Sequence, residues 1–359
     1  MKLRTLAVIV AILAALSVLA FLKNRPEAAP VADPRVGSSL LSADIVSQAS
    51  GLTVSDQGKK VEVKKGADGT WRVTSYYGMP ADFHKISQLV QDLNEAKVER
   101  FVTDNPDRIS RLEFKDSRIA LTDASGKEIW SVTLGKTPDA GNGKFIRFGD
   151  EQKAFFSGTH VWLETDPKMW ADTGLVGLKP DDIAKVSLPP ADGAVELSRT
   201  KKDGAWTATG GPAGQKVIAD KVASTLTTLT DLKFSDTLVK DDPAASAASA
   251  FAKTYTLTTF DGRTVTISLG RKPEVKKLKA PVADTDALKP GADGKLDTKP
   301  ITPEYDTTPA GPVFAVVSSS DPHAVVNDLM TKRSFQVDDY VYTSLPQKSD
   351  ELFQADKAK

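Results

Sequence analysis

Residues 61–98, VEVKKGADGTWRVTSYYGMPADFHKISQLVQDLNEAKV, contain two hydrophobic patterns that decide the fold. Residues 61–75 alternate apolar or β-branched side chains with polar ones around the Gly66-Ala67-Asp68-Gly69 turn, which predicts a β-hairpin. From about Asp82 to Ala96 the apolar residues recur every three or four positions, which predicts a helix with one buried face. A hairpin followed by such a helix is typical of a helix packed on one face of an antiparallel sheet.

The same pattern recurs about 136 residues later. Trp71 and Trp206 are 135 residues apart, and Lys97 and Lys233 are 136 apart. Five short matches occur in the same order, four of them at offsets of 135 to 138 residues, so we predict an internal duplication. The matches are ADIV (43–46) with DDIA (181–184), GTWRV (69–73) with GAWTA (204–208), LNEAKV (93–98) with LTDLKF (229–234), LGK (134–136) with LGR (269–271), and ETDP (164–167) with SSDP (319–322).

The fold class that follows is α+β: a duplicated antiparallel-sheet domain with one main helix per copy. Short β-branched runs separated by polar turns follow each helix, and the Asp261-Gly262 turn is typical of a hairpin. A narrower stripe of apolar residues, which includes Val222, Leu226 and Leu229, predicts the second helix. We interpret Trp71 and Trp206 as aromatic anchors beneath these helices.

The N-terminus predicts a single transmembrane helix before the duplicated body. Residues 5–22, TLAVIVAILAALSVLAFL, carry no charge, and 18 helical residues span about 27 Å, close to the thickness of the hydrocarbon core. This length favours an uncleaved signal anchor over a signal peptide, although Val18-Leu19-Ala20 is an acceptable context for cleavage. Lys2 and Arg4 precede the span, so the short N-terminus is placed in the cytoplasm and the body outside.

These patterns divide the chain into segments. A proline-rich spacer follows the anchor, and a second proline-rich stretch interrupts the second copy as either a solvated insertion or a partner-binding arm. The predicted segments are a signal anchor (1–25), a Pro/Ala-rich linker (26–43), a first α+β repeat (44–178), a second α+β repeat (179–345) with a Pro/Lys/Asp-rich insert (273–312), and a polar tail (346–359).

The composition excludes several classes of function. Lys plus Arg and Asp plus Glu both number 47, so the whole protein lacks the basic footprint of a nucleic-acid-binding protein. No cysteine occurs, which excludes disulfide frameworks, thiolate zinc sites, iron–sulfur clusters and cysteine nucleophiles.

No motif predicts a reaction, a cofactor or a metal. His84, His160 and His323 are not spaced as ligands on one helix turn. Gly135-Lys136-Thr137 resembles the end of a phosphate-binding loop, but Trp130 stands where that loop needs its first glycine. The acidic pairs are interpreted as structural, because neighbours in a strand point to opposite faces. These pairs are Asp181-Asp182, Asp241-Asp242 and Asp338-Asp339.

The chain resembles bacterial envelope proteins that carry the domain of unknown function 4340. The resemblance covers nearly the whole chain, and none of its motifs is catalytic. Besides the N-terminal span, the motifs are YGMPADF (77–83), LNEAKV (93–98), LGK (134–136), Asp166-Pro167-x-x-Trp170, TTFDGRTVTISLGRK (258–272) and SLPQ (344–347). The resemblance implies a membrane-tethered, duplicated α+β protein, and it suggests an association with transport systems similar to gliding-motility ABC transporters.

We therefore expect a non-enzymatic, single-pass protein of the cell inner membrane with a periplasmic body. The body would act as a scaffold or accessory protein that binds another envelope component, such as a gliding-type ABC transporter system. The alternatives are an exported enzyme that acts on a cell-wall or glycan substrate with an acid pair assembled by the fold, and a small-molecule or glycan binding module that uses a cleft between the copies.

Overall fold

The computed structural model describes residues 33–139, 141–159, 161–209, 212, 214–279 and 305–355. The predicted signal anchor (1–25), the start of the linker and His160 lie outside these ranges. Within them, no helix has the length and apolar character needed to cross a membrane. The chain divides into two compact units, Met1–Asp172 and Thr173–Lys359, a few residues before the predicted boundary between the repeats at 178/179.

The first unit contains a nine-stranded sheet in which every pair of neighbours is antiparallel. Its strand order is β4-β3-β2-β1-β6-β7-β8-β9-β5. The elements of its described residues are α1 (Ala43–Gln48), β1 (Gly51–Asp56), β2 (Lys59–Lys65), β3 (Trp71–Val73), β4 (Met79–Pro80), α2 (Phe83–Glu95), β5 (Arg100–Thr103), α3 (Pro106–Ser110), β6 (Arg118–Thr122), β7 (Glu128–Leu134), β8 (Lys144–Phe148), β9 (Ala154–Ser157) and a 3-10 helix (Pro167–Trp170).

Helix α2 confirms the helix predicted from residue 82 to residue 96. The Asp82 side chain accepts a hydrogen bond from the His84 N–H at 2.9 Å, which satisfies one of the free donors at the helix start. Ile86, Leu89 and Leu93 form the buried face. The spacing of the apolar residues therefore predicts the position of this helix correctly.

The second unit is built around an eight-stranded antiparallel sheet. Its strand order is β12-β11-β10-β15-β16-β19-β20-β14. The elements of its described residues are a 3-10 helix (Pro180–Asp182), β10 (Ile183–Leu188), β11 (Val195–Ser198), β12 (Thr207–Thr209), β13 (Gln215–Val217), α4 (Ala219–Thr230), β14 (Phe234–Val239), α5 (Pro243–Ser249), β15 (Lys253–Thr259), β16 (Thr264–Arg271), β17 (Val275–Leu278), β18 (Tyr305–Thr308), β19 (Val313–Ser319), α6 (Val325–Lys332), β20 (Arg333–Val337), α7 (Asp339–Ser344), a second 3-10 helix (Ser349–Leu352) and β21 (Phe353–Ala355).

The two units share one topology. When β10, β15 and α4 are matched with β1, β6 and α2, the eight strands of the second sheet follow the same order as eight strands of the first. Leu93 in α2 and Leu229 in α4, which the offset equates, are both buried. The α+β class with large antiparallel sheets is confirmed, and the shared strand order agrees with an internal duplication.

The repeated Leu-Gly motif has the same structural role in both units. A Cβ added at Gly135 would lie 2.4 Å from the Leu112 carbonyl oxygen, and one added at Gly270 would lie 2.4 Å from the Ala248 carbonyl oxygen. In each unit a short helix, α3 or α5, ends against the last residues of a central strand. Only glycine allows this close approach of backbone to backbone.

The predicted linker, residues 26–43, extends too far into the body. The Leu40 N–H donates to the Ala96 carbonyl at 2.9 Å, and the Trp130 indole N–H donates to the Leu40 carbonyl at 3.1 Å. Leu40 and Leu41 are both buried. Residues from Asp33 onward belong to the first unit because these two leucines bury their side chains beside the end of α2.

Two other predicted segments are also more ordered than their composition indicates. In the polar tail (346–359), Leu352 and Phe353 are buried and β21 pairs with β13. In the insert (273–312), β17 and β18 pair as an antiparallel ribbon whose eight residues are all exposed. Isolated apolar and β-branched residues are enough to form these pairings. Residues 280–304 of the insert lie outside the described ranges.

The prediction that Trp71 and Trp206 are core anchors is wrong. Both side chains are half-buried, because they lie at or just before strands near the margin of each sheet. The Arg199 guanidinium lies over the Trp206 ring at 4.7 Å from its centroid, a cation–π contact that uses the uncovered face.

Candidate functional site

The described histidines do not form a site. His84 and His323 are exposed, and their backbone N–H groups donate to the Asp82 and Asp321 side chains at 2.9 Å. Across the ranges that the structure describes, no three His, Cys, Asp or Glu residues are grouped in a way that could hold a metal ion.

The acidic pairs have structural partners. Asp182 forms an ion pair with Lys202 at 2.7 Å, and that hydrogen bond lowers the pKa of the Asp182 carboxyl below its usual value. Asp242 caps α5 by accepting the Ala244 N–H at 2.8 Å. Asp339 pairs with Arg271 at 2.9 Å. One member of each pair is thus engaged in local structure.

A cavity of about 570 Å³ in the first unit is lined by the start of the described chain, including Arg35 and residues 38–43. The Arg35 guanidinium binds Glu151 through two bonds of 2.9 and 2.8 Å, and its Nε donates to Asp33 at 3.0 Å. It also lies over the Phe155 ring, 4.6 Å from the centroid. This cation is fully engaged, so Arg35 fastens the chain to the sheet rather than offering a free charge.

The Asp33 carboxyl is part of the same fastening. Its pKa is held well below its usual value, first by the hydrogen bond from Arg35 and then, against the opposing effect of burial, by the hydrogen bond from Lys153. Lys153 Nζ lies 3.0 Å from Asp33 Oδ2. The carboxylate therefore remains ionised at neutral pH.

A second region of the first unit joins two distant segments, residues 76–84 and 162–172. The Asp82 N–H donates to the Trp170 carbonyl at 2.8 Å, and the Asp172 N–H donates to the Pro80 carbonyl at 2.8 Å. Between these bonds Ala81 and Ala171 form a β-bridge. The Trp170 indole N–H donates to the Glu164 carbonyl at 3.0 Å, which fixes the approach of the second segment.

These joined segments expose four large apolar side chains, which we call the aromatic surface: Tyr77, Phe83, Trp162 and Met169. Their side chains are 62%, 63%, 72% and 46% exposed. Phe83 and Met169 directly neighbour Asp82 and Trp170, the two residues joined by a backbone hydrogen bond. Large aromatic residues and methionine are enriched at the centres of protein–protein interfaces.

Tyr77 is held in a costly backbone conformation. Its φ is +56°, and Gly78 follows at +67°, so both lie in the left-handed region. For a non-glycine residue this costs on the order of 1–3 kcal/mol, and such residues cluster at functional sites. The turn presents the Tyr77 side chain where it is largely exposed, next to Tyr76 at 5.2 Å between ring centroids.

A third region, which we call the cationic pocket, has a volume of about 460 Å³ and lies between β5, α3 and the turn from β7 to β8. Val102, Leu112 and Phe145 form its apolar part. Three cationic side chains and one acid also line it, together with Thr103 and Pro138. The charged residues are Arg108, Arg111, Lys136 and Asp139.

Sequence reasoning named no catalytic, cofactor or metal residue, and it missed the two regions just described. The motifs YGMPADF (77–83) and Asp166-Pro167-x-x-Trp170 were noted separately, but only the fold brings them together. Arg108 and Arg111 gave no signal, because the pattern pairs them at i,i+4 with Asp104 and Asp107. In the described structure neither arginine has a carboxylate within ion-pair distance.

Comparison with known proteins assigns the chain to a family. The model of the domain of unknown function DUF4340 matches residues 71–258, just over half of the 359 residues. The matched stretch contains the aromatic surface and the cationic pocket. Neither curated proteins nor solved structures gave a match. The chain belongs to the DUF4340 family.

Proposed function

We propose that this protein is a non-enzymatic, membrane-anchored accessory protein of the bacterial envelope, and that it binds another envelope protein through the aromatic surface. The observation that carries the proposal is the exposure of Tyr77, Phe83, Trp162 and Met169 on two joined segments. Large exposed apolar side chains on two joined segments mark a candidate site for interaction with another protein. Their aromatic character favours a protein partner with an apolar surface of its own.

The strained turn at Tyr77 supports a binding role for this surface. A tyrosine with positive φ destabilises the turn, and a glycine or asparagine would relieve that strain. The strained turn therefore agrees with a binding role for the exposed Tyr77 side chain.

The acidic pairs favour this proposal over the exported-enzyme alternative. Glycoside hydrolysis needs two carboxyl groups facing one substrate bond at a separation of roughly 5–10 Å. Here Asp182 and Asp339 are held by Lys202 and Arg271, and Asp242 caps a helix. These three acids, one from each pair, are committed to contacts within their own unit.

The proposed anchor would keep the first unit close to the membrane. Only residues 23–32 separate the predicted span (5–22) from Asp33, which Arg35 and Lys153 fasten to the body. Ten extended residues reach at most about 35 Å. The proposed partner is accordingly an inner-membrane component, such as a subunit of a gliding-type ABC transporter, rather than a distant part of the cell wall.

Paired surface variants test the binding proposal. The variant Phe83→Ser/Trp162→Ser removes two exposed side chains from the aromatic surface, and Val239→Ser/Tyr340→Ser removes two exposed side chains from the second unit. We expect a protein that copurifies with the full chain from membranes to be lost with the first variant and kept with the second. Retention of the same partners by both variants, at equal yield, would contradict the proposal.

The anchor has its own test. N-terminal sequencing of the mature protein should begin at or near Met1, and the protein should resist extraction of membranes with alkaline carbonate. A mature chain that begins at Phe21 or later would show that the segment is a cleaved signal peptide.

A further inference from the structure

The cationic pocket holds positive charge that the first unit does not neutralise. Within the described ranges, no carboxylate lies within ion-pair distance of Arg108, Arg111 or Lys136, and their side chains have no hydrogen-bond acceptor. Arg108 and Arg111 are three residues apart at α3, so they lie on the same side of it. Arginine and lysine side chains that converge without partners are suited to bind an anion.

The fold places Lys136 beside the arginines. The Lys136 N–H donates to the Leu112 carbonyl at 2.8 Å, and Gly135 permits this close approach because any side chain there would collide with the same carbonyl. The end of α3 and the start of the β7–β8 turn are thereby held together. The three cations come from two segments that are fixed by backbone contacts.

A threonine hydroxyl also lines the pocket. Thr103 lines the pocket and is only 6% exposed. Its oxygen accepts the Asn105 N–H at 3.1 Å, but among the described residues its O–H has no acceptor. The O–H is therefore available to donate to an anionic oxygen in the pocket.

The second unit shows what the same arrangement looks like without a ligand site. There Arg271 occupies the position of Lys136, and Asp339 neutralises it at 2.9 Å. The segment of α5 that corresponds to the two arginines, Ala244–Ala248, has no charged side chain. The cluster of unpaired cations is therefore specific to the first unit, and it is not required by the shared topology.

The apolar part of the pocket restricts the ligand further. Leu112 belongs to a hydrophobic cluster with Ile109 and Ala154, and Val102 and Phe145 pack against it. A volume of about 460 Å³ lies in the range of small-molecule sites. A free inorganic anion would pair with the cationic side chains but leave this apolar surface exposed to water.

We propose that the cationic pocket binds a phosphate ester that carries an apolar group. The phosphate oxygens would accept hydrogen bonds from Arg108, Arg111, Lys136 and the Thr103 hydroxyl, and the apolar group would lie on Val102, Leu112 and Phe145. Arginine matches phosphate geometry with two parallel bonds, which favours phosphate over a single carboxylate oxygen. Asp139 at the rim opposes the ligand and limits its affinity.

Calorimetric titration of the full-length chain in phosphatidylcholine nanodiscs tests the site. The probes are dihexanoyl phosphatidic acid and inorganic phosphate. We expect the short-chain lipid to bind several times more tightly than inorganic phosphate, and Kd to rise with salt. Equal affinities for the two probes would overturn the assignment of an apolar ester.

Charge variants locate the binding. Arg108→Gln/Arg111→Gln should raise Kd at least about tenfold, because each lost bond is charge-assisted, whereas Asp139→Asn should lower Kd. Lys59→Gln/Lys127→Gln removes two exposed charges elsewhere in the unit and should leave Kd unchanged. The arginines are exposed, so an unchanged thermal midpoint should accompany the loss. Equal Kd values for the two double variants would overturn the proposal.

Nanodiscs that contain phosphatidylglycerol distinguish the two sources of such an ester. A weaker apparent affinity for the short-chain lipid in these discs than in neutral discs, with no such difference between the discs for Arg108→Gln/Arg111→Gln, identifies a bilayer headgroup as the competing ligand. An unchanged affinity identifies a free phosphate ester. Both results require the same pocket and leave the chemical assignment in place.

Discussion

Replacing Gly135 with alanine tests the contact that holds the cationic pocket together. The added Cβ would lie 2.4 Å from the Leu112 carbonyl oxygen and 3.1 Å from the Phe114 ring, whereas real Cβ atoms keep at least 3.0 Å. The obstacle is backbone, so it cannot rotate away as the end of a side chain can. The helix α3 or the end of β7 must move by at least about 0.6 Å.

The cost follows from three contributions. Overpacking of this kind costs about 1–3 kcal/mol. Movement also weakens the Lys136 N–H bond to the Leu112 carbonyl, worth about 0.5–1.5 kcal/mol. Alanine restricts the unfolded chain more than glycine does, which returns about 0.4–1 kcal/mol. The net expectation is a loss of about 2 kcal/mol in the free energy of local opening, or roughly thirtyfold in the opening equilibrium.

Native-state hydrogen exchange measures this loss unit by unit, which avoids the assumption that the whole chain unfolds in one step. Peptides from α3 and β7 should lose protection in Gly135→Ala, and peptides from α5 and β16 should lose it in Gly270→Ala. Gly311→Ala is the control, because its added Cβ meets only the Lys272 side chain and backbone, at 3.3 Å or more. Unchanged protection of α3 and β7 in Gly135→Ala would refute the reasoning.

Three further predictions concern the edges of the units. Leu41→Ala should destabilise the first unit by about 2–5 kcal/mol because Leu41 is fully buried. Val36→Ala, at a more exposed position, should change the stability of the unit by less than about 0.5 kcal/mol. Equal effects of the two variants in urea titrations would show that the linker does not belong to the body. Asp33→Asn should lower the hydrogen-exchange protection of the first unit at pH 7. The reason is that a carboxyl whose pKa is lowered by folding stabilises the folded state above its unfolded pKa near 3.8. That difference should shrink as the pH falls below about 4, and a difference independent of pH would contradict the ion pairs with Arg35 and Lys153. Replacing residues 273–312 by a short glycine–serine link should change stability by no more than about 1–2 kcal/mol, since the β17–β18 ribbon is exposed throughout; unfolding on deletion would place the insert in the core.

The periodic spacing of apolar residues predicts the architecture well where it continues over many residues. Helix α2 begins after Asp82 as the apolar spacing indicates, and the repeated Leu-Gly motif falls at equivalent strand ends in both units. The spacing of apolar residues fails to predict the structure where burial depends on only one or two of them. Leu40 and Leu41 stand in a polar stretch, as do Leu352 and Phe353, and nothing local shows that the sheet offers them a place to be buried.

The candidate regions depend on contacts between residues distant in sequence. A backbone hydrogen bond between Asp82 and Trp170 joins the segments that carry Phe83 and Met169, and no short motif encodes it. The cationic pocket is less predictable still, because Arg108 and Arg111 have acids at helical spacing that they do not contact. Which charges remain unpaired is settled by the fold and not by the local pattern.

The binding role of the aromatic surface is tested most directly by site-specific photocrosslinking in living cells. A benzophenone side chain is introduced at position 83 or at position 239, since Phe83 and Val239 are both 63% exposed and lie in different units. We predict a discrete adduct with one membrane protein from position 83, abolished by Trp162→Ser, and none from position 239. The absence of an adduct at position 83, or the same adducts from both positions, would contradict the account.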